Sequence, residues 1–255
     1  MTATPAPSLA HIFRHPIKAH GREELASVVL SAGAGLPWDR HWAVMHDRSK
    51  FDPAAPGWAP CVNFQRGART ASVMAITARF DEASGEMELT HPDLPTLRFH
   101  PETEGPRLID WLAPISPQEW FRPVALVRAP GRGMTDTPYP SVSIKNLASN
   151  AALGRHMGMD LSIHRWRGNL WLDGVEPWAE FDWIGKRLRI GATVLEVRER
   201  VGRCKATMAD PETGLVDADA LRGLREVVEE QDFGVFAVVL EGGKVARGDR
   251  VEVLG

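Results

Sequence analysis

Cysteine is scarce in this chain: 255 residues hold two, Cys61 and Cys204, far apart in sequence. Two such thiols make no disulfide scaffold, and they cannot supply the four ligands of a cysteine-bound iron–sulfur cluster. Long apolar runs are missing as well. No 18-residue apolar segment occurs, and the opening stretch MTATPAPSLAHIFRHPIK lacks the apolar core of a signal peptide, so the expectation is a cytoplasmic protein without a membrane span. Nor does charge of one sign prevail. Thirty Lys and Arg against 33 Asp and Glu leave a net charge of -3, which argues against broad binding to nucleic acid or to an anionic membrane. No Gly-x-Gly-x-x-Gly fingerprint follows a strand, and no Gly-rich phosphate loop, paired carboxylates or Ser-His-Asp pattern stands out. His41 and His46 find no His or Cys at metal-ligand spacing and read as structural. Tyrosine occurs once against nine tryptophans, an imbalance with no functional explanation in the sequence.

What is present is ordinary in bulk and specific in detail. At 44% hydrophobic and 25% charged, the composition is that of a globular protein long enough for one large domain or two modest ones. The first ten residues, rich in Pro and Ala, read as a loose tail. Short alternating segments follow: His11 onward, broken by Pro16, then Leu25–Leu30, Asp39–Met45, Ala71–Phe80, Glu86–Thr90 and Thr96–His100. Turns every 8–12 residues suggest a barrel or sandwich. Residues 50–67 and Pro130–Pro138 read as loops. Helices are expected at Gly105–Leu112, at Ser143–Met157 with Ser143 as its cap, and at about Ala218–Glu230. Strands are expected at Leu161–Arg165, Asn169–Leu172, Arg187–Ile190, Thr193–Val197, Phe233–Glu241 and Asp249–Leu254, with a hairpin turn at Gly242-Gly243. The fold class is therefore α+β and mainly β, divided softly near residues 101–125.

The stretch Val201–Gly214 (VGRCKATMADPETG) organises the chemistry. Cys204 falls between a strand and a turn, flanked by Arg203 and Lys205, and two cations beside a thiol favour the thiolate, which attacks electrophiles or binds soft metals. A lone cysteine also serves as a small buried hydrophobe, but this one has a polar, turn-bound setting. Cations and small polar groups recur at strand ends and loops: Lys18, Arg40, Ser141, Ser143, Arg167 and Asn169. Converging beside Cys204, they would make a pocket for a polar, phosphorylated, planar ligand. Taken singly, each cation reads as a solvated surface charge, and Ser143 as a helix cap.

Five segments in order carry a resemblance: His15-Pro-Ile-Lys18, Gly35-Leu-Pro-Trp-Asp-Arg-His-Trp42, Arg165-Trp-Arg-Gly-Asn-Leu170, Glu176–Gly185 and Arg203–Gly214. The chain resembles the MOSC family in its two-part form, which includes amidoxime-reducing and hydroxylaminopurine-reducing members. The resemblance implies an N-terminal β-barrel module over residues 1–100, packed on a MOSC β-barrel domain over 101–255 with a few peripheral helices. It implies a molybdenum cofactor (molybdopterin), with Cys204 ligating the metal and Lys18, Arg40 and Arg167 holding the pterin phosphate. Asn169, Ser141 and Ser143 would touch the pterin, and Asp210 would lie near the metal. Departures exist: Ala19 stands where the family usually has Ser, Gly202 where some relatives have Cys, and residues 50–67 lack the usual pattern.

Two functions are open on this reading. One is reduction of N-hydroxylated small molecules at the metal, with electrons from a separate ferredoxin-like or flavin reductase, because the chain has no dinucleotide fingerprint or iron–sulfur ligand set of its own. The other is sulfur carriage or cofactor handling, with a persulfide on Cys204. In the first case Cys61, in a Pro-rich loop, should be replaceable.

Overall fold

A computed structural model of the chain describes residues 6–116, 119 and 121–254. Its strands in chain order are β1 (Ser8–Arg14), β2 (Glu23–Leu25), β3 (Ser27–Leu30), β4 (Trp42–His46), β5 (Thr77–Phe80), β6 (Met87–His91), β7 (Leu94–Phe99) and β8 (Pro123–Arg128). Helix α1 (Gly105–Leu112) lies before β8. The second half continues with β9 (Val142–Asn146), α2 (Leu147–Met157), β10 (Leu170–Asp173), β11 (Arg187–Ile190), β12 (Thr193–Gly202), α3 (Ala220–Val228), β13 (Asp232–Glu241), β14 (Gly243–Ala246) and β15 (Val251–Leu254). The fold is mainly β, with a large mixed sheet and few helices, as the alternation predicts. No helix among the described residues is long and apolar enough to cross a membrane.

The large sheet runs β15-β11-β12-β13-β9-β10-β1-β2, antiparallel throughout except for the parallel pair β9 and β10. It does not close into a regular barrel. Among the described residues its flanks are joined by the isolated bridge Ser8–Arg250 and a few further hydrogen bonds, such as Leu9 N–H to the Asp249 carbonyl at 2.8 Å. The N-terminal strands pair with strands far along the chain: β1 with β10 in this sheet, and β3 with β14 and β4 with β8 in two-stranded sheets of their own. The inward positions of the sheet, Ile12, Ile144, Leu172, Leu188, Val197 and Val235 among them, form one core. A second core lies under β4, the β5–β7 meander and α1, around Trp42, Phe80, Leu89, Phe99 and Leu108. A third seats α2 and α3 on Trp166, Trp171 and Phe233.

Two buried tryptophans pair an apolar body with a polar handle. Trp166 stacks on Phe233 with centroids 4.0 Å apart while its indole N–H donates to Asn150 at 2.6 Å, and Trp111, on the buried face of α1, donates to the Pro95 carbonyl at 2.6 Å. Local chemistry also corrects several expectations. Helix α2 begins at Leu147, not Ser143, because Asn146 is the cap: its side-chain oxygen accepts from Ala148 N–H at 2.9 Å. Ser143 therefore belongs to β9. Residues Ala71–Ala75 form a 3₁₀ turn before β5, with Ser72 Oγ tied to the Ile115 carbonyl at 2.6 Å. Ile163–Trp166 is a second such turn, started by Ser162 and held by Arg165, whose guanidinium grips both oxygens of Asp217 at 2.7 and 2.5 Å. Gly242-Gly243 is not a hairpin turn, since β14 leaves β13 to pair with β3. The expected tail is cut short by β1 from Ser8, while residues 1–5 lie outside the described residues.

Candidate functional site

A cavity of about 450 Å³ opens where the turn after β1, the turn before β4, the loop before β9 and the end of β12 meet. Its walls bring together Lys18, Arg40, Ser143, Arg167 and Cys204 of the residues expected from the sequence. Three wall residues, Ala19, Arg40 and Arg167, hold left-handed backbone at φ 66°, 51° and 47°. Each costs of order 1–3 kcal/mol for a side chain with a Cβ, so the surroundings must impose it. At Arg40 they do: its N–H donates to the His15 carbonyl at 2.6 Å, and its carbonyl accepts from Met134 N–H at 2.8 Å. Gly133 is required there, because a Cβ would lie 2.3 Å from the Asp39 carbonyl oxygen.

The wall is cationic. Lys18, Arg40, Arg66, Arg167, Arg200 and Arg203 face Asp136 and Glu199. Arg40 bonds the Asp39 carboxylate with one nitrogen and donates to the Arg167 carbonyl at 3.0 Å with another. Burial alone would raise Asp39, but Arg40 and His15 hold it well below the usual carboxylate range. Arg167 makes one weak contact, to the Ile17 carbonyl at 3.4 Å. Its burial, and then repulsion from Arg40, pulls it down to about 9. Arg203 donates to the Trp166 carbonyl at 2.9 Å, yet its Nε is buried without a hydrogen-bond partner. Burial lowers this arginine, while Cys204 and Asp136 oppose the shift.

Cys204 is exposed and caps the 3₁₀ turn Lys205–Met208, its carbonyl accepting from Thr207 N–H at 3.1 Å and from the Thr207 hydroxyl at 3.0 Å. Of its two flanking cations, Arg203 faces the cavity; Lys205 is exposed outside it. Among the described residues no group of three His, Cys, Asp or Glu side chains is placed to hold a metal ion. A metal at Cys204 would thus need further ligands from a cofactor of its own.

The remaining expected residues stand back. Asn169 is buried behind the wall: its Oδ1 accepts from Ser143 N–H at 3.1 Å and from Ser143 Oγ–H at 2.9 Å, and its Nδ2 donates to the Phe13 carbonyl at 3.2 Å. Ser141 is buried too and pairs with the Thr137 hydroxyl at 2.8 Å. Asp210 builds the turn beyond Cys204, accepting from Glu212 N–H at 3.1 Å and from the Thr213 hydroxyl at 3.0 Å. Sequence reasoning missed Asp136, Arg66, Arg200 and Cys61 on the wall. Arg66 approaches the Cys61 sulfur at 3.7 Å, and Asp136 accepts from Lys18 Nζ at 2.5 Å. Both acquire meaning from neighbours more than a hundred residues away, or from a loop without periodicity, so no local signal marks them.

The family described as the MOSC domain matches residues 135–252. A molybdenum cofactor sulfurase of Caenorhabditis briggsae is 33% identical over 107 residues, which are 40% of this chain and 14% of that protein; the chain thus matches a small part of that relative's length. Among solved structures, the YUAD protein of Bacillus subtilis superposes over 98% of this chain and 96% of its own, at 11% identity and a TM-score of 0.46. YiiM of Geobacillus stearothermophilus covers 45% of this chain and 54% of its own, at 12% identity and a TM-score of 0.34. The segment that lends Asp136, Ser143, Arg167 and Cys204 to the cavity is thus the one that matches the MOSC domain family.

Proposed function

We propose that this cavity binds a molybdenum cofactor through Cys204 and a phosphate cradle, and that the protein reduces N-hydroxylated small molecules with electrons from a separate reductase. The observation that carries the reading is the union of an exposed thiol with a cluster of arginines and Lys18 in one cavity. The donor set suits the group: a soft thiolate for molybdenum, and guanidinium forks for phosphate. When bound, the cofactor supplies two-electron redox chemistry and accepts an oxygen atom. The chain's own residues do the rest. Lys18, Arg40 and Arg167 hold the phosphate, and the left-handed turns at Arg40 and Arg167 fix their backbones before the ligand arrives. Ser143 presents its hydroxyl on the wall, oriented from behind by Asn169, with Ser141 supporting the loop. Asp210 sets the turn that carries the chain away from Cys204.

Protein made in a cofactor-competent host should contain molybdenum and pterin. It should turn over hydroxylamines or amidoximes with reduced viologen and remain inert with NADH or NADPH until a reductase is added. Steady turnover of the isolated chain with NADH alone would overturn the electron path. The exposure of Cys204 also favours a second reading, a persulfide-bearing sulfur carrier. Metal-free protein carrying a sulfane-sulfur adduct on Cys204 would select that reading over the first.

A further inference from the structure

Lys18 is almost fully shut in, with 5% of its side chain exposed, yet its ammonium already has partners: the Met134 carbonyl at 2.7 Å and the Asp136 carboxylate at 2.5 Å. Asp136 is different in kind. Its side chain is 56% exposed and it lines the cavity, so its free surface faces the space a ligand would fill. An anion arriving at Lys18 meets a carboxylate in the way, and like charges a few ångströms apart repel. Burial alone would raise Asp136, but Lys18, Arg40 and Arg203 hold it well below the ordinary carboxylate range. It does not leave by taking up a proton near neutrality; it has to move. Its side chain can turn into the open space of the cavity it lines.

We propose that Asp136 is a displaceable counterion that occupies Lys18 until a phosphate monoester or similar dianion takes its place, and so decides which anions the cavity accepts. The proposal rests on the reading of Lys18, Arg40 and Arg167 as a phosphate site. Its chemistry is an exchange of ion pairs. A singly charged ligand that replaces the carboxylate trades one charge for another and gains little, whereas a dianion adds a charge that Arg40, Arg167 and Arg203 can share. Asp136 then acts as a specificity-determining residue, and Lys18 never stays buried without a partner, which would be costly.

Calorimetric titration of the metal-free chain with inorganic phosphate, at mildly alkaline pH and low salt, tests this. Wild type should bind phosphate and discriminate against dimethyl phosphate. Asp136→Asn should bind phosphate roughly tenfold tighter, the scale of one charge-assisted hydrogen bond no longer contested. In a Lys18→Gln background the same substitution should gain much less, because the contested partner is gone. Thermal melting checks that each variant is folded, and Asp136→Ser replaces the Asn variant should that one not fold. Phosphate binding that is unchanged or weaker in Asp136→Asn, with wild type binding normally, overturns the counterion role while leaving the phosphate site standing. Binding by neither protein overturns both. The source of the anion is read separately, from pterin fluorescence of protein made in a cofactor-competent host and dialysed against phosphate. Higher pterin retention in Asp136→Asn identifies the organic ester, and a gain for inorganic phosphate alone identifies the free anion.

Discussion

At Lys145 an amine is shut entirely inside the protein, between Gly168 and Gly234, where a Cβ on either glycine would lie 2.3 or 2.4 Å from its side chain. It donates to the Phe233 carbonyl at 2.6 Å. Burial, and then Arg203, lower it well below the ordinary lysine value of 10.5. Unfolded chains keep that proton up to the ordinary value while the folded state gives it up earlier, so the group makes stability rise with pH below the ordinary lysine value. Lys145→Met should therefore be more stable by about 2 kcal/mol near neutrality and flatten the rise, as urea unfolding at several pH values would show. Cys204 and Cys61 give the other residue-scale prediction, a sharper one for their sharing one cavity. Cys204→Ser should fold and lose molybdenum, because a hydroxyl is a hard and poor substitute for thiolate. Cys61→Ser should keep the metal. Elemental analysis of the two variants decides, and loss from the Cys61 variant alone would reverse the assignment.

Elements show where local signals suffice. Helix α1 forms over Gly105–Leu112, the span read from the sequence, with Pro106 in its first turn and Leu108, Trp111 and Leu112 on one buried face. Strand β11 likewise spans Arg187–Ile190 as read. The alternation that announces β12 stops being visible at Val197, yet the strand continues to Gly202 because β13 supplies a partner along its whole length. That extension delivers Cys204 to the cavity. Strand β13 carries its own demand for glycine: Gly234 sits at φ 73°, and a Cβ there would lie 2.4 Å from Lys145 Cδ and 2.5 Å from the Ile144 carbonyl oxygen. Gly234→Ala should cost about 3 kcal/mol or more, adding left-handed strain to a clash with backbone. Thermal or denaturant unfolding would measure it; a loss within a few tenths of a kcal/mol would show that β13 shifts freely.

For the whole molecule, the two buried histidines near the cavity set a pH limit. His15 is pulled down to about 3, by burial first and Arg167 next; His20 is pulled to about 4, chiefly by burial. Both stay neutral in the folded state while the unfolded chain protonates them below 6.5, so their stabilisation is complete above that value and drains away as pH falls toward 4. At about pH 5 each removes roughly 2 kcal/mol. The urea midpoint should fall steeply from neutrality to that point, and His20→Gln should flatten the fall. A midpoint independent of pH over this window would mean that both rings are open to water.

The sequence by itself determined the mainly β class, the strand and helix spans with clear periodicity, and the ordered segments around Lys18, Arg40, Arg167 and Cys204. Those features are local, written in alternation, turn residues and short runs of charge. Tertiary structure alone decided the rest. It wove β1, β3 and β4 into pairs with strands far along the chain, left the sheet short of a closed barrel, and handed the helix cap from Ser143 to Asn146. It also placed Asp136 on Lys18 and Cys61 on the wall. The reason is physical: a side chain's charge, partner and access to water depend on which distant segments pack around it, and a sequence pattern records only its nearest neighbours.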